Sequence, residues 1–509
     1  MRLALLHSPL TFGRTSKQTR KAAVSAADGP IEQRLFVEAA GEPAIWFEVE
    51  DFLRYFDHFD NPTGLQRVSF EILAEAERLY GPSGRARFCR LSVYTKKLVP
   101  IDFDEVVAAY RNPPGKNAPW TNIWAPAHIG SDILDTAMTV LRHPRFFLRL
   151  LKTALRDIVD IVVPRRRFER HARPGDVVVS LGASWAIPGY MRHIDEAKRK
   201  LGIKFSFLLH DLIPIQNESF VEPWHVSKFR DWLGEAIPTA DTIFTTTRNS
   251  RRDLLTSAGE AKDMLPPIEI LQPGAGLSDR HLAGERTTAR FPERYVLFVS
   301  TIEIRKNHRL LVRVWQRLIE RHGADAVPTL VFAGKIGWLV DDLMAELAAS
   351  GYLNGKVRIM SGLSDADLHQ AYRSCLFTVF PSLCEGWGLP VAESLIHGKL
   401  CVASNIAPCL ETGGEFIDYF DPTDDDDALA KIETLLLNPD RIAAQEARLR
   451  EEYRPRAWAD CVHTLIGVLG KKAPQIRLAE RGAADMPPAG LVGSAGGAFA
   501  IAENSAQPL

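Results

Sequence analysis

What this chain does not contain narrows its function first. No apolar run approaches the ~18–20 residues that a membrane-spanning helix needs. Neither sign of charge is in surplus: 62 Lys and Arg against 63 Asp and Glu leave a net charge of −1 over 509 residues. That balance argues against a general nucleic-acid binder, which would be basic overall. The six cysteines include no CxxC spacing and several lie in apolar runs, the pattern of buried free thiols in a reducing compartment. A reactive thiol at Cys384, beside Glu385, is the alternative. Apart from one acidic run, nothing reads as a metal cage. The run Asp424–Asp427 reads either as a metal site or as the negatively charged start of a helix. The opening run Met1–Leu6 is short and interrupted by His7 and Pro9, so it does not read as a secretory signal, and a cytoplasmic location is expected.

What is present is an alternation of strands and helices. An apolar content of 46% and a charged content of 25% are those of a globular protein. Residues 1–42 read as a flexible leader. Strands are expected at Ala44–Val49, Phe88–Tyr94, Asp176–Leu181, Lys204–Leu209 and Thr242–Thr246, with a helix opening near Asn61–Val68 and running to Leu79. After a Pro/Gly break at Gln272–Gly276 a second series begins, with strands at Tyr295–Ser300, Thr329–Ala333, Val357–Met360, Leu376–Phe380 and Leu400–Ala403 and helices at Leu310–Arg321 and Asp341–Ala349. This pattern predicts an α/β fold of two Rossmann-like lobes, each a parallel sheet with helices on both faces, with a ligand cleft between them. The expected boundaries are 43–275 and 285–470, followed by a disordered tail at 471–509. An insertion at about 140–172 stands out. Between Arg142 and Arg170 there are nine Lys/Arg and three Asp/Glu. A basic amphipathic helix on an anionic bilayer and a packed helix with a solvated basic edge both fit it.

The stretch Pro381-Ser382-Leu383-Cys384-Glu385-Gly386-Trp387-Gly388-Leu389-Pro390-Val391-Ala392-Glu393-Ser394 carries the most chemistry. It reads as strand exit, glycine loop and helix start, with Pro390 at the first helical position. The free N–H groups of such a helix favour an anion at the loop. Glu385 and Glu393 would be repelled by a phosphate, so hydroxyl groups are their natural partners. An anion site flanked by two polyol sites describes a nucleotide sugar. Upstream, Arg305 and Lys306 follow the lobe-opening strand, where adjacent cations suit a diphosphate, above all as it departs.

The order Glu303-Ile304-Arg305-Lys306-Asn307-His308, then Phe332-Ala333-Gly334-Lys335, then the Glu385 to Glu393 stretch resembles the second lobe of the retaining family-4 (group 1) glycosyltransferases, over about residues 290–470. The first lobe resembles, more patchily, a bacterial mannosyltransferase-like subgroup that builds surface polysaccharides. The residues that carry this are Trp46–Asp51, Asn61–Val68, Gly175–Asp176, Ser180–Trp185 and His210-Asp211-Leu212-Ile213-Pro214. The resemblance implies the GT-B fold. It implies that Arg305 and Lys306 hold the donor diphosphate, Glu385 the transferred hexose and Glu393 the ribose. Gly386, Gly388 and Leu389 would complete the phosphate cradle, Thr63 and Gly64 would face it across the cleft, and His210 and Asp211 would lie near the reacting sugar. It implies no metal and no cofactor, a nucleotide sugar as co-substrate with GDP-mannose first, and a glycan or lipid-linked glycan acceptor at the inner membrane face. Two departures stand out: the first-lobe loop has Gly64 alone where relatives often have a glycine pair, and Ser300-Thr301-Ile302 stands where many have a further Arg. Phosphate binding would then lean on Arg305, Lys306 and Lys335.

Blander roles fit several of these residues: a buried structural histidine at 210, a turn cap at Asp211, a helix start at Thr63, an ion-pair former at Arg67, packing at Trp185 and Trp387. A nucleotide-sugar epimerase, a sugar phosphorylase or a degenerate sugar-binding scaffold are the competing functions.

Overall fold

Short β-branched and aromatic runs, each ended by a polar or glycine-bearing turn, set the strands. In the computed structural model, residues 42–59, 61–92, 95–111, 155, 158–159, 167–276 and 287–470 are described. The expected leader apart from Glu42, the tail and most of the basic 140–172 segment lie outside them.

The first lobe holds a seven-stranded sheet in the order β3-β2-β1-β4-β5-β6-β7. Its strands are β1 Ile45–Glu48, β2 Ala86–Leu91, β3 Leu98–Ile101, β4 Val177–Ser180, β5 Lys204–Leu209, β6 Thr242–Thr245 and β7 Ile268–Ile270. All neighbours pair parallel except β2 and β3, an antiparallel edge that the expectation of a wholly parallel sheet missed. The strand expected to reach Tyr94 ends at Leu91, because the chain turns at Ser92 to begin that edge; Ser92 N–H donates to Lys97 O at 2.9 Å.

The second lobe holds six strands in the order β10-β9-β8-β11-β12-β13. They are β8 Tyr295–Val299, β9 Thr329–Ala333, β10 Val357–Met360, β11 Thr378–Phe380, β12 Cys401–Ser404 and β13 Asp418–Phe420, all parallel. Strand order reverses between β8 and β11 here, and between β1 and β4 in the first lobe, so each lobe opens a crevice at the carboxyl ends of its central pair. Each lobe has its own buried apolar core, around Phe47, Phe52 and Phe70 in the first and around Phe298, Trp315 and Val402 in the second.

One helix lies where the chain order does not place it. Trp458–Leu469 falls within the expected second-lobe span of 285–470. Its apolar face, Cys461, Val462, Leu465 and Ile466, is nonetheless buried in the first-lobe core beside the helix Gly64–Tyr80. The crossing back is tied to the outgoing linker: Ala275 N–H donates to Arg456 O at 2.9 Å and the Trp458 indole donates to Gly276 O at 2.9 Å. A side chain at Gly274 would collide with Trp458, its Cβ meeting the ring at 2.6 Å, so a glycine is required there.

Candidate functional site

The sharp turn after β8 and the loop after β11 meet at the second lobe's switch point. Ile304–Lys306 is a single 3-10 turn, closed by Asn307 in the left-handed region at φ 56°. Arg305 O accepts from Leu383 N–H at 2.9 Å, which docks the two loops. The Arg305 guanidinium donates to Cys384 O at 2.7 Å and pairs with Glu385 at 2.9 Å and Glu303 at 2.8 Å. Lys306 Nζ pairs with the other Glu385 oxygen at 2.5 Å. Burial would push the Glu385 carboxyl up, but Arg305 and then Lys306 outweigh it and hold it at about 2. The sequence-identified cations and first carboxylate therefore form one half-buried ion cluster.

Asp211, from the first lobe, faces this cluster, while the ring of the preceding His210 turns back into its own lobe. His210 Nε2 lies 2.8 Å from Leu181 O. Burial lowers its pKa, so the ring is neutral, Nε2 carries the proton, and Nδ1 is the nitrogen able to accept. Asp211 Oδ1 accepts from Ile213 N–H at 3.0 Å; burial raises its pKa and the nearby Arg305 opposes that rise. At Gly386 the lobes are in direct contact. A Cβ there would stand 2.5 Å from His210 O, and its carbonyl accepts from the Thr246 hydroxyl at 3.1 Å. Its lack of a side chain thus serves lobe contact. Gly388, at φ 92°, makes the left-handed turn into the helix Leu389–Ile396. That helix begins at Leu389, one residue before the expected Pro390.

Glu393 stands apart from the cations. It is 6% exposed; Tyr372 Oη donates to it at 2.6 Å, and Arg67 of the first lobe pairs with it at 3.6 Å and with Asp365 at 2.7 Å. Gly64 lies against Leu389, a Cβ there reaching its Cδ1 at 3.1 Å. Thr63 starts the helix Gly64–Tyr80, with Gln66 Oε1 accepting from both the Thr63 hydroxyl and its backbone N–H. Lys335 is directed elsewhere, its ammonium 4.5 Å from the Phe59 ring centroid, and burial lowers its pKa to about 8. Three further lobe contacts involve no motif residue: Arg248 N–H and Asn249 N–H both donate to Glu411 at 2.9 Å, and the Trp338 indole donates to Phe220 O at 2.8 Å.

The open alternatives resolve on geometry. The Cys384 thiol is pushed up to about 12 by burial, so it is no reactive thiolate. Asp424 caps its helix by accepting from Asp426 N–H and Asp427 N–H, at 2.8 and 3.2 Å, while Asp425 pairs with Arg313. Trp185 stacks on His225 at 4.2 Å. Among the described residues no group of three or more His, Cys, Asp or Glu could hold a metal, and no helix is long and apolar enough to cross a membrane.

Between the lobes lies a cavity of about 180 Å³, lined by Asp211, Gln216, Asn217, Asn249 and Asp253 on one side and by Cys384, Glu385 and the Ile406–Pro408 turn on the other. Sequence reading missed Gln216, Asn249 and Asp253, which lie in no motif. It also missed Tyr372 and Asp365, since nothing in the chain pairs them with residues 21 and 298 positions away.

Residues 285–456 match the family model described as glycosyl transferases group 1. The chain is 31% identical over 167 residues to the O-antigen chain mannosyltransferase B of Escherichia coli, covering 33% of this chain and 43% of that protein. It is 27% identical over 265 residues to the serotype-specific mannosyltransferase WbdA of Escherichia coli, covering 50% and 32%. With the D-inositol 3-phosphate glycosyltransferase of Rhodococcus opacus (strain B4) it shares 25% identity over 285 residues, covering 54% and 62%. The chain thus spans less than two thirds of each of these relatives. Among solved structures, Anabaena Alr3699/HepE in complex with UDP-glucose has the same fold: TM-score 0.50, 13% identity, 84% of this chain and 99% of that one.

Proposed function

We propose, on the premise that this chain belongs to the group 1 glycosyltransferases of GT-B fold, that it moves a hexose from a nucleotide diphosphate sugar to a glycan or lipid-linked glycan acceptor with retained anomeric configuration. The observation that carries this is the Arg305–Lys306–Glu385 ion cluster, half-buried at the second lobe's switch point and faced by Asp211 of the first. In transfer, positive charge builds at the anomeric carbon and negative charge on the departing diphosphate. Arg305 and Lys306 stabilise the latter. Without substrate, Glu385 is their counter-ion. An arriving diphosphate takes over the cations, and the freed carboxylate turns to hexose hydroxyls, which orients the sugar. The departing phosphate oxygen accepts the acceptor's proton on the same face, and lobe closure keeps water out. No cofactor is required in this scheme.

Mannose is the proposed hexose and GDP-mannose the donor, on the strength of the mannosyltransferase relatives. The excess of basic residues between Arg142 and Arg170 supports an acceptor at an anionic membrane face. Recovery on liposomes that does not depend on anionic lipid would remove that part.

The test is release of nucleoside diphosphate from a panel of nucleotide sugars, with and without acceptor glycans. The expected result is release from one donor, lost in Lys306→Ala. Epimerised nucleotide sugar with no diphosphate released, or undiminished turnover in the variant, overturns the reading.

A further inference from the structure

We infer that the interlobe cavity is a pocket for one neutral pyranose ring, and that Asp253, held by Asn249 and Gln216, determines which hydroxyl configuration it accepts. The inference rests on the transferase reading and extends it to residues outside every motif.

The lining sets the ligand class. Asp211, Asp253 and Glu385 are carboxylates, Gln216, Asn217 and Asn249 are carboxamides, and no Lys or Arg is among the lining residues. A phosphate or carboxylate group finds no cationic partner on the wall itself, since Arg305 and Lys306 stand behind Glu385. The carboxylates are also not gathered as a metal site would need. Hydroxyl groups suit the set, because carboxylates accept from them while carboxamides both donate and accept. Leu212, Ile213 and the Ile406–Pro408 turn supply apolar wall for the C–H face of a sugar ring. At about 180 Å³ the space is smaller than the roughly 300–1,000 Å³ of pockets for drug-sized ligands, a size that suits one sugar ring.

Asp253 is the fixed element of this wall. Asn249 Nδ2 donates to its Oδ2 at 2.8 Å. Burial raises its pKa, and a hydrogen bond from Gln216 opposes that rise. The helix that carries it, Arg248–Ala258, is anchored at its first residues by Glu411 of the second lobe. The two walls are therefore locked in register only when the lobes are together, and a ring of the wrong configuration would meet a wall that cannot adjust. The ring is either the transferred hexose or the acceptor's terminal sugar, since the chemistry is shared.

Asp253→Asn and, as a second variant, Gln216→Ala test this in the full chain. Free nucleoside diphosphate should bind each variant as it binds wild type, within about twofold by calorimetry, because the cations are untouched. The kcat/KM for nucleotide sugar should fall about tenfold or more, with changed discrimination between donors or acceptors epimeric at one hydroxyl. A fall in donor hydrolysis without acceptor assigns the ring to the donor; a fall in transfer alone assigns it to the acceptor. Unchanged kcat/KM and discrimination in both variants overturn the pocket. Failure of the transferase reading looks different: wild type releases no diphosphate from any donor. Ligand-observed NMR with methyl hexopyranosides then decides, binding lost in both variants supporting the pocket and no binding to wild type overturning it.

Discussion

Both switch points withdraw carboxyl groups from water, yet Glu48 at the first favours its neutral form while Glu385 at the second is held ionised. At the first, between β1 and β4, Glu48 is 2% exposed and burial, with Asp51 adding to it, raises its pKa to about 8; Asp51 itself is raised to about 6, again chiefly by burial. At the second, between β8 and β11, Glu385 sits at about 2 because Arg305 and Lys306 overcome the same burial. Depth alone does not set the charge of a carboxyl; its neighbours do. The geometry follows. Asp51 accepts from Ala183 N–H at 2.6 Å and lies so close to Gly182 that a Cβ there would stand 2.0 Å from its Oδ2, so the first crevice is filled by its own loop. The second opens on the cavity, where Arg305 and Lys306 stand behind Glu385 and hold it ionised. On the proposed reading, one switch point serves the fold and the other the ligand.

The strongest blow to that contrast is Lys306→Ala. Turnover should fall about a hundredfold or more, as for loss of other charge-stabilising donors, measured as nucleoside diphosphate release; near-normal rates would mean that the second crevice keeps its charges for folding too. Glu385→Gln should reduce turnover about ten- to a hundredfold while tightening the binding of free nucleoside diphosphate, because the internal counter-ion is gone. Weaker diphosphate binding would show that the carboxylate is not a competitor for the cations.

Glu48 sharpens the other side. Its folded-state pKa lies near 8, above the ordinary 4.5. The native state then keeps a proton that the unfolded chain has released, so the stability this gives is full below the ordinary value and is lost as pH rises toward 8. Wild type should melt lower at about pH 8 than at about pH 6, and Glu48→Gln should flatten the trend with a gain of about 1–3 kcal/mol at the upper end. Wild-type stability that climbs over this range would place a compensating cation beside Glu48. The smallest effect is expected at Arg67, which occupies the Glu393 carboxylate. Arg67→Ala should tighten nucleotide binding a fewfold if ribose must displace it; calorimetry that shows unchanged or weaker binding removes Arg67 as a competitor.

Much of the second lobe was legible in the sequence because its information is local. The β9 and β10 boundaries and the helix Asp341–Ala349 stand where the apolar runs put them. The resemblance put Arg305, Lys306 and Glu385 at one site, but with the cations on a diphosphate and the carboxylate on a hexose; their direct ion pairs were not expected. What escaped needed the tertiary fold. An amphipathic helix announces that it buries a face but not against which lobe, so Trp458–Leu469 was misplaced. The short edge strand β3 contains Pro100 and offers little pattern. Glu48 entered the sequence reading only within the Trp46–Asp51 stretch that carries the first-lobe resemblance, and nothing there showed that its strand is buried along its whole length. Asp253 and Arg67 acquire a role only when the opposite lobe arrives.

The paired passage of the chain at Gln272–Gly276 and Arg456–Trp458 has a mechanical result. Two adjacent strands of backbone, pinned to each other, act as an axle where a lone tether would be a swivel. A motion of the lobes that keeps both hydrogen bonds must pivot at this double crossing, so the opening that the proposed transferase needs for its substrates is expected to be a hinge there.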